Sequence, residues 1–312
     1  MRKQKRNVVT IGGGTGSFVV LSGLKNYEID LNAIITMMDS GGSTGKLRDQ
    51  LGVLPPGDLR QALVALSEAS DIWRKLFTYR FEAGDLKGHN FGNIFLSAIE
   101  KITDSNQEAI DRAADILQTS GRVIPITFDK CTLCAEYEDG SVIEGESNID
   151  ENEKAGIRIR NIFLKPPANI NLEAKRALER ANVLIFGPGD LYTSILPNLL
   201  VSGVRETLRY VKAKKVFVVN LMTKVGQTEG FKVSDFINEI EKYLGEGSLS
   251  YVVVNSKKPS DDLINRYKEV DKVLPVEDDV GGTYRRAKII RANILSDYAY
   301  DKSSSDDLKR SL

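Results

Sequence analysis

Four glycines within five residues, Gly12 to Gly16, separate an apolar run from a helical pattern. The run before them, Asn7 to Ile11, is typical of a buried β-strand, and the apolar residues after them recur at helical spacing. Glycine lets a backbone approach a phosphate group closely, and a helix N-terminus offers free N–H donors. The segment predicts a strand, a phosphate-binding loop and a helix, with a simple tight turn as the alternative.

This loop departs from two well-known phosphate-binding motifs. The dinucleotide motif G-x-G-x-x-G requires a glycine at the position of Ser17, and a Walker A loop requires a Gly-Lys-Ser/Thr sequence that does not follow here. The broken motif counts against a nicotinamide-dependent oxidoreductase. NAD is nevertheless kept as a candidate ligand of the loop.

Strand-like and helical patterns alternate along the rest of the chain, which predicts a mostly parallel sheet with helices on both faces. The stretch from Cys131 to Ser147 instead alternates around Asp139-Gly140, which predicts an inserted antiparallel hairpin. No linker-like composition divides the chain. We therefore expect one fused Rossmann-like α/β domain over residues 1–312, with a basic tail at 1–6 and a flexible end at 301–312.

Composition excludes several classes of protein. The 43 basic and 43 acidic side chains cancel, whereas general nucleic-acid binders carry a basic excess. One His and two Cys make a structural zinc site or a disulfide scaffold improbable. No apolar run approaches the ~18 residues of a membrane helix, and no signal-peptide pattern opens the chain. We expect a cytoplasmic protein that binds neither nucleic acid nor membranes.

Candidate ligand-binding residues follow the predicted strands, where open α/β sheets bind ligands. Asp39 lies ~25 residues beyond the glycine loop, where a dinucleotide-binding fold has its ribose-binding acid. It is also a candidate metal ligand or a turn-forming residue. Asp58 is either a helix N-cap or a second carboxylate that would hold Mg²⁺ together with Asp39. Arg60 is a candidate phosphate ligand or the partner of a surface acid.

His89, the single histidine, lies between glycine and asparagine at a predicted helix start. It is a candidate phosphate donor or acid–base group, with a packed side chain as the alternative. Two further loops, after the strands at 182–186 and 215–220, carry hydroxyl and amide groups suited to a nucleotide. The full set of predicted nucleotide- or phosphate-binding residues from these patterns is Gly12, Gly13, Gly14, Thr15, Gly16, Asp39, Gly41, Gly42, Ser43, Arg60, His89, Asn90, Asn93, Gly187, Gly189, Asp190, Tyr192, Thr193, Ser194, Asn220, Thr223, Gln227 and Thr228.

Taken together, these loops resemble those of the YvcK/CofD-like proteins, the bacterial gluconeogenesis-factor group related to 2-phospho-L-lactate transferase. The resemblance covers roughly residues 7–295 and rests on five ordered motifs. The motifs are Gly12–Gly16, Asp39–Arg48, Pro55–Arg60, Gly88–Asn93 and Gly187–Asn198.

The resemblance implies a regulatory protein that binds UDP-N-acetylglucosamine and supports central carbon metabolism, cell-wall precursor supply and cell shape. It places Tyr267 against the nucleotide sugar and implies a regulated metabolic enzyme as partner. We also expect a homo-oligomer. The transferase branch implies the alternative, a Mg²⁺-dependent enzyme in which Asp39 and Asp58 hold the metal and act on a nucleoside-diphosphate-activated phospholactate-type donor.

Overall fold

A computed structural model describes residues 5–152, 156–261, 264–265 and 273–295. Within these residues, eight strands form one sheet in which only the last pair in the chain is antiparallel. In chain order its strands are β1 Arg6–Gly12, β2 Ile29–Ile35, β3 Arg122–Pro125, β7 Val183–Phe186, β8 Lys214–Val218, β9 Tyr251–Asn255, β10 Thr283–Tyr284 and β11 Ala287–Ala292.

The order of the strands across this sheet is β10-β11-β9-β8-β7-β1-β2-β3. The chain starts at β1 and builds outward to β2 and β3, then returns to β7 on the other side of β1 and builds outward the opposite way. Strands β1 and β7 therefore flank the point where the topology reverses. The carboxyl ends of the strands beside such a reversal frame a crevice, which is where open α/β sheets bind ligands.

A second sheet lies in an insertion between β3 and β7. Its antiparallel strands, in the order β5-β4-β6, are β4 Thr132–Tyr137, β5 Val142–Glu144 and β6 Ile159–Lys165. Gly140 adopts a φ of 82° in the turn between β4 and β5. The predicted hairpin is confirmed, and β6 extends it by a strand that the alternation did not reveal.

Helices cover the large sheet, as a strand buried on both faces requires. Val8, Val9 and Ile11, neighbours in β1, are all buried, so apolar side chains on both faces of this strand are covered. The fold class predicted from the sequence is confirmed. The helices are α1 Gly14–Leu24, α2 Gly42–Leu51, α3 Pro56–Leu66, α4 Asp71–Thr78, α5 Phe91–Ile102, α6 Asn106–Leu117, α7 Glu146–Asp150, α8 Leu172–Arg180, a π-helix Leu191–Ile195, α9 Leu196–Leu200, α10 Val204–Tyr210 and α11 Val233–Leu244.

Two features at the ends of elements bear on the sequence predictions. Strand β1 begins at Arg6, inside the segment expected to be a tail, whereas residues 1–4 and 301–312 lie outside the described part. Helix α3 begins at Pro56 with Pro55 as its N-cap, so Asp58 lies in the first turn and is not the cap. Among the described residues, no helix is long and apolar enough to cross a membrane.

Candidate functional site

The loops that follow β1, β2, β7 and β8 all leave the same edge of the sheet. These four strands are neighbours and mutually parallel, so their carboxyl ends lie side by side. Each of the four loops carries residues predicted to bind a ligand. The parallel order of the strands therefore gathers segments that are more than 200 residues apart in the chain, as the span from Gly12 to Thr228 illustrates.

The glycine loop after β1 is held by two internal contacts. Gly14 opens helix α1 with a φ of +62°, and its N–H donates to Asp58 Oδ1 over 2.9 Å. Gly16 packs on the loop after β7, where an added Cβ would lie only 2.1 Å from the Pro188 carbonyl oxygen. Two glycine loops from separate strands are thus in backbone contact at the topological reversal, and part of the donor capacity of the first already serves a carboxylate.

Asp39 and Asp58 each lie against a glycine, and their charges interact. A Cβ at Gly57 would lie 2.2 Å from Asp39 Oδ2, and one at Gly13 would lie 2.3 Å from Asp58 Oδ2. Any side chain larger than hydrogen at either position would clash with a carboxylate, so both glycines are needed for the acids to pack there. We refer to Asp39 and Asp58 as the acid pair.

The electrostatics of the acid pair reflect burial and mutual repulsion. Burial, reinforced by the Asp39 charge, raises the pKa of Asp58 to about 7, although the Gly14 N–H and Arg60 oppose the shift. Burial likewise raises the pKa of Asp39, against the Gly41 N–H that donates to its Oδ1 over 3.0 Å. Repulsion disfavours the state in which both carboxyl groups are ionised. A bound cation, or hydrogen bonds from ligand hydroxyl groups, would relieve that repulsion.

The pair fits the Mg²⁺ that the resemblance implies. Hard carboxylate oxygens are the ligands this ion prefers, and it commonly keeps several waters while binding only one or two protein carboxylates. In the described part of the chain, no group of three or more His, Cys, Asp and Glu side chains has the arrangement of a metal site. Asp39 and Asp58 would therefore hold the ion with water or ligand oxygens completing its shell.

Helix α7 of the insertion adds two acids that the sequence analysis missed. Glu146 Oε2 accepts from the Ser40 N–H over 3.4 Å, and Ser40 Oγ accepts from the Ser147 N–H over 3.0 Å. Burial, and then repulsion from Asp39, raises the pKa of Glu146 to about 9. The available signal was the spacing of Glu146 and Asp150, because residues four apart lie on one face of a helix.

Lys224 joins this helix to the second glycine loop. Its ammonium bridges Asp150 of α7 and Asp190, the latter over 2.6 Å. Burial disfavours the charged form of Lys224, but the two carboxylates outweigh it and raise the pKa. Sequence reasoning passed over Lys224, although it lies between the predicted residues Thr223 and Gln227.

Predicted residues on α2 and α3 and at the start of α5 form a polar cluster with the half-buried His89. Arg60, 5% exposed, donates from Nε to Asn93 Oδ1 over 2.9 Å. Asn90 caps α5 by accepting from the Asn93 N–H, and the Nδ2 of this buried residue has no partner among the described residues. Ser43 Oγ lies 3.2 Å from His89 Nδ1. The structure thus brings these five residues together, and most of their contacts position one another.

The loop after β7 contains two glycines with positive φ and continues into a π-helix whose Tyr192 ring lies in the core. Gly187 and Gly189 take positive φ values of 72° and 154°. The peptide N–H groups of Ser194 and Ile195 both donate to the Asp190 carbonyl, which makes this turn a π-helix, a feature frequent at functional sites. The ring of Tyr192 is buried in the core and meets Phe231 edge-on, with ring centroids 6.5 Å apart.

In the loop after β8, one threonine hydroxyl stabilises the loop internally and another ties it to the segment at Leu274. Thr223 Oγ1 accepts from the Leu274 N–H and Thr228 Oγ1 accepts from the Lys224 N–H. Asn220 Oδ1 is buried without a partner in the described part of the chain. Tyr267, predicted to contact a nucleotide sugar, lies outside the described residues.

Comparison with known proteins agrees with this architecture. The family model for 2-phospho-L-lactate transferase CofD matches residues 8–295. A protein of Thermotoga maritima is 45% identical over 263 residues, which are 84% of this chain and 82% of that protein. The gluconeogenesis factor of Bacillus subtilis is 40% identical over 279 residues, covering 89% of this chain and 87% of that one.

The fold has solved counterparts as well. The crystal structure of a UPF0052 family protein from Bacillus halodurans superposes with a TM-score of 0.88 over 95% of each chain, at 37% sequence identity. Sequence and structure point to the same relatives across nearly the whole described chain. The chain therefore belongs to the CofD family and, within it, to the gluconeogenesis factors.

Proposed function

We propose that this protein is a nucleotide-sugar-binding regulator with a ligand of the UDP-N-acetylglucosamine type. Its role would be to adjust central carbon metabolism, cell-wall precursor supply and cell shape through a partner enzyme. Membership of the gluconeogenesis factors supports the metabolic part of this proposal. We further propose that it acts in the cytoplasm as a homo-oligomer.

One observation carries the proposed ligand class: two glycine loops meet at the topological reversal of the sheet. Gly12–Gly16 and Gly187–Gly189 follow the adjacent strands β1 and β7 and are in backbone contact. Backbone so free of side chains suits a diphosphate, which a helix N-terminus also attracts. Asn220 Oδ1, which has no partner among the described residues, suits a hydroxyl or amide donor of the base or sugar.

The surrounding acids shape how such a ligand would bind. Asp39 and Asp58 repel a free diphosphate, but they accept hydrogen bonds from ribose hydroxyls or hold a Mg²⁺ ion that neutralises the phosphates. Nucleotide binding should therefore be tighter with Mg²⁺, or below the pKa of Asp58, which lies at about 7. NAD is the less favoured nucleotide because the dinucleotide motif is broken at Ser17.

The acid pair supports a second candidate function, a Mg²⁺-dependent transferase of the CofD type. Asp39 and Asp58 would hold the ion, which supplies charge neutralisation on a nucleoside-diphosphate-activated phospholactate-type donor. Group transfer from such donors depends mostly on positioning and electrostatics, so few acid–base residues are needed. Asp58, with a pKa of about 7, can hold a proton at neutral pH.

A thermal-unfolding titration distinguishes the two functions. UDP-N-acetylglucosamine, UDP, GDP and NAD are each added with and without Mg²⁺, and product formation is followed in parallel. A ligand at 100 times its Kd adds about 2.7 kcal/mol to the free energy of unfolding. A shift specific to the UDP-sugar without turnover supports the regulator. A Mg²⁺-dependent shift with GDP and turnover supports the transferase, and no shift with any nucleotide contradicts both.

Tyr267→Ala tests the sugar end of the proposed site. We expect the variant to bind UDP-N-acetylglucosamine more weakly while its affinity for pyrophosphate is unchanged. Tyr210, which is 86% exposed on α10, offers a matched control as Tyr210→Ala. Equal losses for the nucleotide sugar and for pyrophosphate would remove Tyr267 from the sugar or base contact.

A further inference from the structure

Three hydrogen-bond donors from two separate segments converge on one carboxylate oxygen of helix α7. Lys224 Nζ and Gln227 Nε2, in the loop after β8, donate to Asp150 Oδ1, the second over 3.1 Å. Thr193 Oγ1, in the π-helix, donates to the same oxygen over 3.3 Å. An ammonium, an amide and a hydroxyl arranged around one negatively charged oxygen are a donor set suited to an anionic group.

The donors and the acceptor belong to different parts of the fold. Thr193 and Gln227 are 1% and 3% exposed and follow strands of the large sheet. Asp150 is the last residue of α7, a helix of only five residues in the insertion that also contains the small sheet. The donor set therefore lies on the framework of the crevice, whereas the carboxylate that satisfies it comes from an inserted element.

Space for a larger anion adjoins the donors. A cavity of about 210 Å³ is lined in part by Gln227 and Arg158. A water molecule takes about 30 Å³ in the liquid, so the cavity is large enough for several waters or for an anionic group. The Arg158 guanidinium, 5.7 Å from the centre of the Phe231 ring, and the Glu229 carboxylate both line this cavity, so its wall carries one charge of each sign.

We propose that Thr193, Lys224 and Gln227 form an anion subsite that Asp150 occupies until a phosphate-type group of the ligand replaces it. The inference rests on the proposed function and deepens it, since it assigns the position of the ligand's anionic group. Lys224 can keep its contact with Asp190 while it binds the incoming group, because an ammonium carries three donors. Release of Asp150 also withdraws one negative charge from the crevice, which favours the anion.

The test removes the internal occupant and supplies a small anion. Inorganic phosphate and pyrophosphate are titrated by calorimetry into the full chain and into its Asp150→Ala variant. We expect the variant to bind at least one of the two anions ten-fold or more tightly than the unmodified protein. Glu151→Ala, which removes an exposed acid next in the chain, should leave the affinity for both anions unchanged.

Uncharged substitutions separate the donor set from a general charge effect. In the Asp150→Ala background, Gln227→Leu and Thr193→Val remove one donor each without changing the net charge. Each should reverse most of the gained affinity if the donors hold the anion. A gain that survives both substitutions would show that only the lost negative charge mattered, and it would overturn the subsite.

Folding is checked by circular dichroism, and Asp150→Asn provides a near-isosteric variant should Asp150→Ala not fold. A folded Asp150 variant that gains no phosphate or pyrophosphate affinity overturns the subsite. If the subsite fails while the unmodified chain still binds the UDP-sugar, the proposed function stands. If a variant gains anion affinity while the unmodified chain binds no nucleotide, the subsite stands and the nucleotide is wrong.

Discussion

The contact between the two glycine loops can be tested at Gly16. Gly16→Ala would place a Cβ 2.1 Å from the carbonyl oxygen and 2.5 Å from the carbonyl carbon of Pro188. Protein Cβ atoms do not approach other heavy atoms closer than 3.0 Å, so the two loops must separate by about 1 Å. Both partners are backbone, which leaves no side chain to rotate away from the clash.

The expected cost follows from this geometry. Overpacking a close contact costs about 1–3 kcal/mol, and the rigid backbone on both sides places Gly16 at the upper end. Replacing a helical glycine with alanine returns about 1 kcal/mol through helix propensity. The net expectation for Gly16→Ala is a free energy of unfolding lowered by about 2 kcal/mol.

Gly23 supplies the matched control, because it lies in the same helix and a Cβ there would meet no described residue within 4 Å outside that helix's own backbone. Gly23→Ala should stabilise the protein by up to about 1 kcal/mol, so the two variants should differ by about 3 kcal/mol. Urea unfolding of both variants and of the unmodified chain measures this difference. A Gly16→Ala variant as stable as Gly23→Ala would refute the tight packing of the two loops. Ligand binding would then be the remaining role for Gly16.

Three further perturbations follow from burial and charge. Asp58 titrates at about 7 in the fold and at 3.8 ordinarily, so its burial destabilises the protein progressively as pH rises through this interval. Asp58→Asn should abolish a loss of stability on the order of 3 kcal/mol between pH 5 and pH 8, measured by urea unfolding at the two pH values. An identical pH dependence in the variant would contradict this assignment. Burial raises the pKa of the Cys131 thiol to about 11 and raises the pKa of the Cys134 thiol above its usual value. Both thiols should therefore react with iodoacetamide at pH 8 far more slowly than the thiol of glutathione does. Equal reaction rates would contradict this prediction. Leu63 is fully buried in α3, so Leu63→Ala should lower the free energy of unfolding by about 2–5 kcal/mol in the same assay. A loss under about 1 kcal/mol would show that the core relaxes around the shortened side chain.

The sequence predicted the architecture because its signals were local. The apolar run before Gly12 and the Asp139-Gly140 turn report backbone preferences that act within a few residues, and both elements formed where expected. Strand β6 escaped prediction. Its buried residues are Ile159, Ile162 and Leu164, and the three-residue step between the first two breaks the alternation that identifies a strand.

Local sequence patterns did not reveal contacts with residues that are distant in the chain. The sequence offered Asp58 as a helix N-cap, yet its carboxylate instead accepts the N–H of Gly14, 44 residues earlier. Tyr192 was selected as a ligand contact because it follows a glycine loop, and its ring packs into the core. In each case the deciding neighbour lies on another element, which no local pattern identifies.

The amino-acid sequence by itself determined the alternation of strands and helices, the glycine loops and the family to which the chain belongs. Periodicity and turn chemistry encode these features within short windows. Only the tertiary structure decided that Glu146 of the insertion approaches Asp39 and Asp58, and that Lys224 bridges Asp150 and Asp190. The physical reason is that desolvation and charge interactions depend on distances through space, which the parallel strand order sets between residues far apart in the chain.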